Sequence, residues 1–139
     1  MARAARDALW PAAPAHEHVT EVDRWYFDPE GSVCLVCEER SGGLVGFVEV
    51  SLRAYAEGCT STPVGYVEGW YVTPAVRRRG VGRALMAAGE RWARAQGCRE
   101  LASHTELHTV ESQRAHAALR FAETERLVCY RKPLPNDLR

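Results

Sequence analysis

The chain has no surplus of either charge: Lys+Arg and Asp+Glu count 18 each, for a formal net charge of zero. Nucleic-acid binders and proteins that adhere to acidic membranes carry a basic excess, so the bulk charge argues for neither partner. Lysine is nearly missing, with Lys132 the only one; this reads as a coding bias without functional weight. No apolar run reaches the length of a membrane span. Met1 to Trp10 lacks a signal-peptide pattern. A cytoplasmic protein is expected. There is no internal repeat and no low-complexity segment.

A zinc framework is also lacking. The chain has five scattered cysteines, and Cys34 and Cys37 form a C-x-x-C with no second one to complete a metal site. They lie in the apolar run Ser32-Val33-Cys34-Leu35-Val36-Cys37, which reads as a strand. Strand side chains alternate, so residues three apart point to opposite faces. That suits buried thiols better than a shared metal or a redox pair. No metal is expected.

What is present fits one soluble domain over residues 1–139, with 46% hydrophobic and 26% charged residues. Arg3 to Trp10 reads as a helix interrupted by Pro11 and Pro14, and His16 to Tyr26 as a weaker helical candidate. Strands are expected at Ser32 to Glu38, Leu44 to Arg53 and Val64 to Val72, with a hairpin turn at Ser41-Gly42-Gly43. Strict alternation on the third puts Val67, Gly69 and Tyr71 on one face and Tyr66, Glu68 and Trp70 on the other. Val81 to Gln96 is the best helix, with Val81, Leu85, Ala88, Trp92 and Ala95 as its apolar stripe and Gly97 as its stop. A short strand at Leu101 to His104 follows. Next come a helix at Val110 to Leu119, with Val110, Ala115, Ala118 and Leu119 inward, and a final strand at Glu125 to Lys132. Strands first, then alternating helix and strand, argue for a mixed α/β sheet.

The segment that carries chemistry runs from Tyr66 to Leu85. A strand feeds a cationic turn, Arg77-Arg78-Arg79-Gly80-Val81-Gly82, and the turn opens the long helix. Amides at a helix N-terminus are unpaired and partly positive. Glycines let the backbone approach a bulky anion. The arrangement reads as a diphosphate cradle. It is not a P-loop, since no Gly-Lys-Ser/Thr follows, nor a dinucleotide fingerprint, since the glycine spacing differs.

R-x-x-G-x-G after an apolar strand resembles motif A of the GNAT acetyltransferases. The resemblance implies a GNAT fold, a central and mostly antiparallel sheet flanked by helices, with acetyl-CoA as co-substrate. A narrower likeness to the aminoglycoside 6′-N-acetyltransferases rests on Leu9-Trp10, Val64 to Gly69, Glu100 to Ser103, Ser112 to His116 and Glu123 to Arg126. It implies coenzyme A contacts at Tyr71, Val72, Thr73, Arg78, Arg79, Gly80, Val81, Gly82, Arg83 and Thr109. It implies aminoglycoside contacts at Trp10, Tyr55, Glu68, His104 and Glu125, and a homodimer.

A polycationic acceptor needs carboxylates and flat surfaces, and Glu68 sits on the strand entering the cradle. There a carboxylate can orient an amine and relay its proton, while Trp10 and Glu125 also fit packing and a solvent-facing strand. His104 stands where the family has aspartate; it can act as a base but cannot replace the charge. Thr109 replaces an amide side chain. His116 stands where many relatives place a tyrosine that protonates the departing thiolate, and it equally fits a helix-face histidine beside the core. Leu119-Arg120-Phe121 replaces Leu-Gly-Phe, which puts arginine where a left-handed cap is expected, at a cost of about 1 kcal/mol. The family's first edge strand is not seen: either the start is truncated or the sheet lacks that strand. The expected function is acetylation of the 6′-amine of an aminoglycoside. The alternatives are another small amine or a protein N-terminus, or a non-catalytic acyl-CoA-binding module.

Overall fold

The computed structural model describes the backbone of residues 19–28 and residues 31–136 in full. One five-stranded sheet runs in chain order: β1 (Val19–Asp28), β2 (Ser32–Glu39), β3 (Leu44–Arg53), β4 (Val64–Val72) and β5 (Leu101–Ala102). The first four strands pair antiparallel, and β5 pairs parallel to β4. A short 3-10 turn at Pro74–Val76 leads to α1 (Val81–Ala95), and α2 (Val110–Ala118) follows β5.

β1 corrects the helical reading of His16 to Tyr26. The run Val19–Asp28 ends in Arg-Trp-Tyr-Phe-Asp, and aromatic residues favour a pleated surface once a partner strand is at hand. The helix expected at Arg3 to Trp10 and the question of a further strand both concern residues 1–18, outside the described residues.

The core lies between the sheet and α1. Val33, Leu35 and Cys37 of β2, Val48 and Val50 of β3, and Val67 of β4 meet Val81, Leu85, Met86 and Trp92 of α1. Leu85 and Met86 are wholly buried, each stabilising the fold by about 1.5–3 kcal/mol. The helix sits close because Gly46 presents no side chain: a Cβ there would lie 2.8 Å from Leu85 Cδ1 and 3.0 Å from the Tyr71 carbonyl. The apolar stripe shifts slightly from the expected one. Met86, Gly89 and Ala93 are buried and Ala95 is exposed, as a 3.6-residue period dictates. Cys37 enters this core while Cys34 packs with Val36 and Phe47 in a separate cluster, so the two thiols point to opposite faces. Burial pushes the Cys37 thiol up to about 11.

Two further expectations fail. Residues 122–136 are exposed and form no strand with the other described residues, rather than a final strand. In α2 no residue is fully buried, and Val110 and Ala118 face solvent, while Leu119 packs partly on the core.

The end of α2 carries a strained residue. Phe121 N–H donates to His116 O and Arg120 N–H to Ala117 O, each at 3.0 Å, the bonding pattern of a left-handed helix stop. Arg120 has φ 68°, where a Cβ is disfavoured. Its counterpart at the end of α1 is Gly97, φ 91°. Arg120→Gly should raise stability by about 1 kcal/mol, read as a higher denaturation midpoint at unchanged m-value; an unchanged or lower midpoint would refute the strain.

Candidate functional site

The site is set by an extra residue in β4. Glu49 pairs with Gly69 and Val50 pairs with Val67, so Glu68 has no partner on β3. This β-bulge turns the strand, and strict alternation fails there. Val67 packs into the α1-side core, and Trp70 and Val72 join it. Tyr66 packs with Ala56 and Val64 on the opposite face. A Cβ on Gly69 would meet Phe47, and Tyr71 stacks on Phe47 at 6.3 Å. Trp70 therefore lies with Val67 rather than with Tyr66, and Gly69 and Tyr71 lie away from Val67.

Beside the bulge the sheet opens. β4 and β5 pair only at Gly65 with Leu101 and Tyr66 with Ala102. From Val67 to Val72 the β4 backbone has no β5 residue alongside it, which leaves a wedge bordered by Ser103 and His104. The predicted strand Leu101 to His104 is thus shorter than expected, because the two strands diverge.

At the end of β4 the chain turns through Thr73, whose N–H donates to Val45 O at 2.9 Å. Arg77 Nε donates to Val72 O at 2.9 Å, and its guanidinium lies 5.6 Å from the Tyr71 ring centre. Arg77 thereby fastens the turn to the strand. Arg78 has φ 66° and Gly80 φ 84°, two left-handed residues that fold the turn back on itself. Gly80 is the N-cap of α1, and the first bond into the helix is Ala84 N–H to Gly80 O, 2.9 Å. The Val81, Gly82 and Arg83 amides precede that bond and belong to the helix's unpaired first turn. Nothing lies within 4 Å of a Cβ built on Gly80, and one on Gly82 would touch Trp70 at 3.1 Å. Arg78, Arg79 and Arg83 are exposed around them. An open, amide-lined, cationic turn at a helix N-terminus fits a diphosphate.

The three expected catalytic side chains do not converge. Glu68 and His104 share one face through Tyr66. Ser51 Oγ donates to Glu68 Oε2 at 2.5 Å, and Arg53 grips both carboxylate oxygens. Arg53 lies 3.6 Å over the Tyr66 ring, and Tyr66 Oη meets His104 Nδ1 at 2.5 Å. Burial pushes the Tyr66 phenol up, with Arg53 partly opposing. The phenol therefore keeps its proton, and its hydroxyl can donate to His104 Nδ1 or accept from it. His116 lies on the α1 face, edge-on to Trp70 and Phe121 at 5.6 and 5.1 Å. Its Nδ1 is 2.7 Å from Ser112 O and its Nε2 2.8 Å from Ser103 Oγ. A carbonyl only accepts, so Nδ1 carries a proton; Nε2 accepts from Ser103 in the neutral ring and donates to it in the imidazolium.

The remaining expected contacts are dispersed. Tyr55 is 67% exposed on the loop after β3. That loop is tied down by Glu100, whose Oε1 accepts from Thr60 N–H, Ser61 N–H and Ser61 Oγ; the Ser61 hydroxyl first, then these amides, hold the Glu100 carboxyl below its usual range. Thr109 caps α2 by position, without a side-chain capping bond. Glu125 is exposed in the C-terminal run. Trp10 lies outside the described residues. The sequence reading missed Ser51, Arg53, Ser103 and Trp70. Arg53 had a signal, an arginine two residues from Ser51 on the strand beside Glu68, but only the register shows that they meet. Among the described residues no group of three or more His, Cys, Asp or Glu is placed to hold a metal, and no helix is long and apolar enough to cross a membrane.

Comparison with known proteins agrees with this geometry. Aminoglycoside N(6′)-acetyltransferase type 1 of Stenotrophomonas maltophilia is 48% identical over 130 residues, covering 93% of this chain and 83% of that protein. Its namesake from Klebsiella aerogenes is 43% identical over 131 residues, covering 93% and 86%. Among solved structures, AAC(6′)-Iy in complex with the bisubstrate analog CoA-S-monomethyl-acetylneamine superposes with a TM-score of 0.74 at 35% identity, covering 93% of this chain and 87% of that one. Residues 2–121 match the acetyltransferase (GNAT) family, and the chain belongs to that family.

Proposed function

We propose that this enzyme transfers the acetyl group of acetyl-CoA to the 6′-amino group of an aminoglycoside, and so acts in antibiotic resistance. The observation that carries the reading is the bulged Glu68 beside the open edge of β4, one strand-length from the diphosphate turn. The names of relatives at 43% and 48% identity support the acceptor. When bound, acetyl-CoA supplies an acetyl group activated as a thioester.

The chain's own residues divide the work. The Val81, Gly82 and Arg83 amides, with Arg78, Arg79 and the open Gly80, bind the diphosphate. The β4 backbone from Tyr71 to Thr73 binds the pantetheine arm on the edge that β5 leaves open, although the Thr73 N–H is already committed to Val45 O. A backbone amide near Val72 polarises the thioester carbonyl. Glu68 orients the acceptor amine and takes its proton, directly or through water. Tyr55, Trp10, His104 and Glu125 complete the acceptor site, and Thr109 the cofactor site. His116 is the proton source for the departing thiolate. As the imidazolium it keeps Nδ1–H on Ser112 O and donates its Nε2 proton to the Ser103 hydroxyl, which passes its own proton to the thiolate.

The chain acts as a single domain over residues 1–139, in the cytoplasm where acetyl-CoA is made, and as a homodimer. The exposed C-terminal run supports the dimer: Leu127, Val128, Tyr130 and Leu134 are 51–91% exposed, and β5 is the outer strand of the sheet. Exposed apolar side chains and open sheet edges call for cover.

Three results are expected. Kanamycin or tobramycin is acetylated in the presence of acetyl-CoA, and Glu68→Gln lowers kcat/KM about a hundredfold or more. Normal coenzyme A binding without turnover of any aminoglycoside in a panel would shift the reading to another amine or to a non-catalytic module. Gly82→Asp abolishes coenzyme A binding in calorimetry, because it sets a negative charge and a side chain against the diphosphate; unchanged affinity would refute the cradle. Sedimentation gives the mass of a dimer, and Val128→Asp shifts it to monomer.

A further inference from the structure

Glu68 is not a bare carboxylate. Its Oε2 accepts from Ser51 Oγ at 2.5 Å, Arg53 Nε at 3.1 Å and Arg53 Nη2 at 2.9 Å, and its Oε1 lies 3.0 Å from the same Nη2. A carboxylate offers about four lone-pair sites, two on each oxygen; these contacts crowd Oε2 and leave one site on Oε1. An acceptor amine arrives as an ammonium. It meets a carboxylate that is already neutralised, behind a guanidinium of its own charge. An ammonium on the remaining Oε1 site would sit beside the Arg53 guanidinium, so amine and arginine compete for Glu68.

The pair is built to open. Its side chains are 43% and 30% exposed for Arg53 and Glu68, and exposed ion pairs of this kind contribute little stability. Arg53 also has a second support, since its Cζ lies 3.6 Å from the centre of the Tyr66 ring. Cation–π attraction keeps the guanidinium on that face after it leaves the carboxylate. The ring cannot easily turn away, because its hydroxyl is bonded to His104 Nδ1 and the residue is 5% exposed. Ser51, two residues from Arg53 on β3, remains to orient Glu68 once the arginine has left.

We propose that Arg53 is a substrate-displaced counter-ion of Glu68. In the free enzyme it occupies the place of the acceptor ammonium and holds the carboxylate oriented. On binding, the ammonium takes over Glu68 and Arg53 withdraws onto Tyr66. Arg53 is thus a positioning residue that sets acceptor affinity, and this rests on the reading that Glu68 receives the acceptor amine.

The test is Arg53→Gln, with Arg53→Met as a second variant that keeps the aliphatic stem on Tyr66. Coenzyme A affinity checks that both are folded. Removing the competing charge should lower the aminoglycoside Kd in calorimetry, and KM in turnover, about fivefold at low salt, the factor for an exposed pair. kcat should change less than KM. Added guanidinium chloride at sub-denaturing concentration should raise KM in the variants by refilling the vacated place, and should leave the wild-type KM unchanged. An unchanged or higher KM together with a fallen kcat would overturn the proposal and make Arg53 a fixed support. If wild type binds coenzyme A but no aminoglycoside, the acceptor reading fails, and the proposal fails with it. That result is distinct, because it appears before any variant is compared.

Discussion

The structure depends on one backbone irregularity, the extra residue at Glu68. A regular β4 would place Glu68 and Trp70 on one face. The bulge leaves Glu68 on the face of Tyr66 and sends Trp70 and Val72 to the helix side. Both halves of the site follow from that switch. On one face Glu68 meets Ser51, Arg53 and, through Tyr66, His104. On the other, Trp70 fills the space between Gly82 at the start of α1 and His116 on α2. The divergence of β4 from β5 opens the wedge between these faces.

The arginine-rich turn before α1 is coupled to the same strand. Arg77 spends its guanidinium on Val72 O and the Tyr71 ring rather than on a ligand, so the most N-terminal arginine of the run is a fastener. The left-handed Arg78 and Gly80 then fold the chain back so that α1 begins with its amides open. Gly46 and Gly89 let α1 lie close on β3, where a Cβ would meet Leu85 and Val50 at 2.8 and 3.2 Å. The helix that offers the amides is thus locked to β3, the partner of the strand that carries Glu68.

The two histidines show how neighbours assign chemistry. Each has Nδ1 committed to a partner, Tyr66 Oη for His104 and Ser112 O for His116. The Ser112 carbonyl fixes a proton on His116 Nδ1, whereas the Tyr66 hydroxyl can donate or accept at His104. Nε2 of a neutral His116 then accepts from Ser103. Residue type alone left both as interchangeable acid–base candidates.

The sequence by itself determined the strands at 32–53 and 64–72, the helix read at 81–96 and found at 81–95, the cationic turn before it and the family. Those features are local: an alternating or 3.6-residue apolar pattern, or glycines and arginines at fixed offsets, acts within a few residues of chain. Even Arg120 was legible, because a helix stop is a local geometry. Tertiary structure decided the rest. The strand at 19–28 forms on a partner strand, and residues 125–132 find none among the described residues. The bulge arises from the register of two strands, which no single strand encodes. The Arg53 grip on Glu68 joins residues 15 apart along the chain, and only the folded sheet brings them within hydrogen-bond reach.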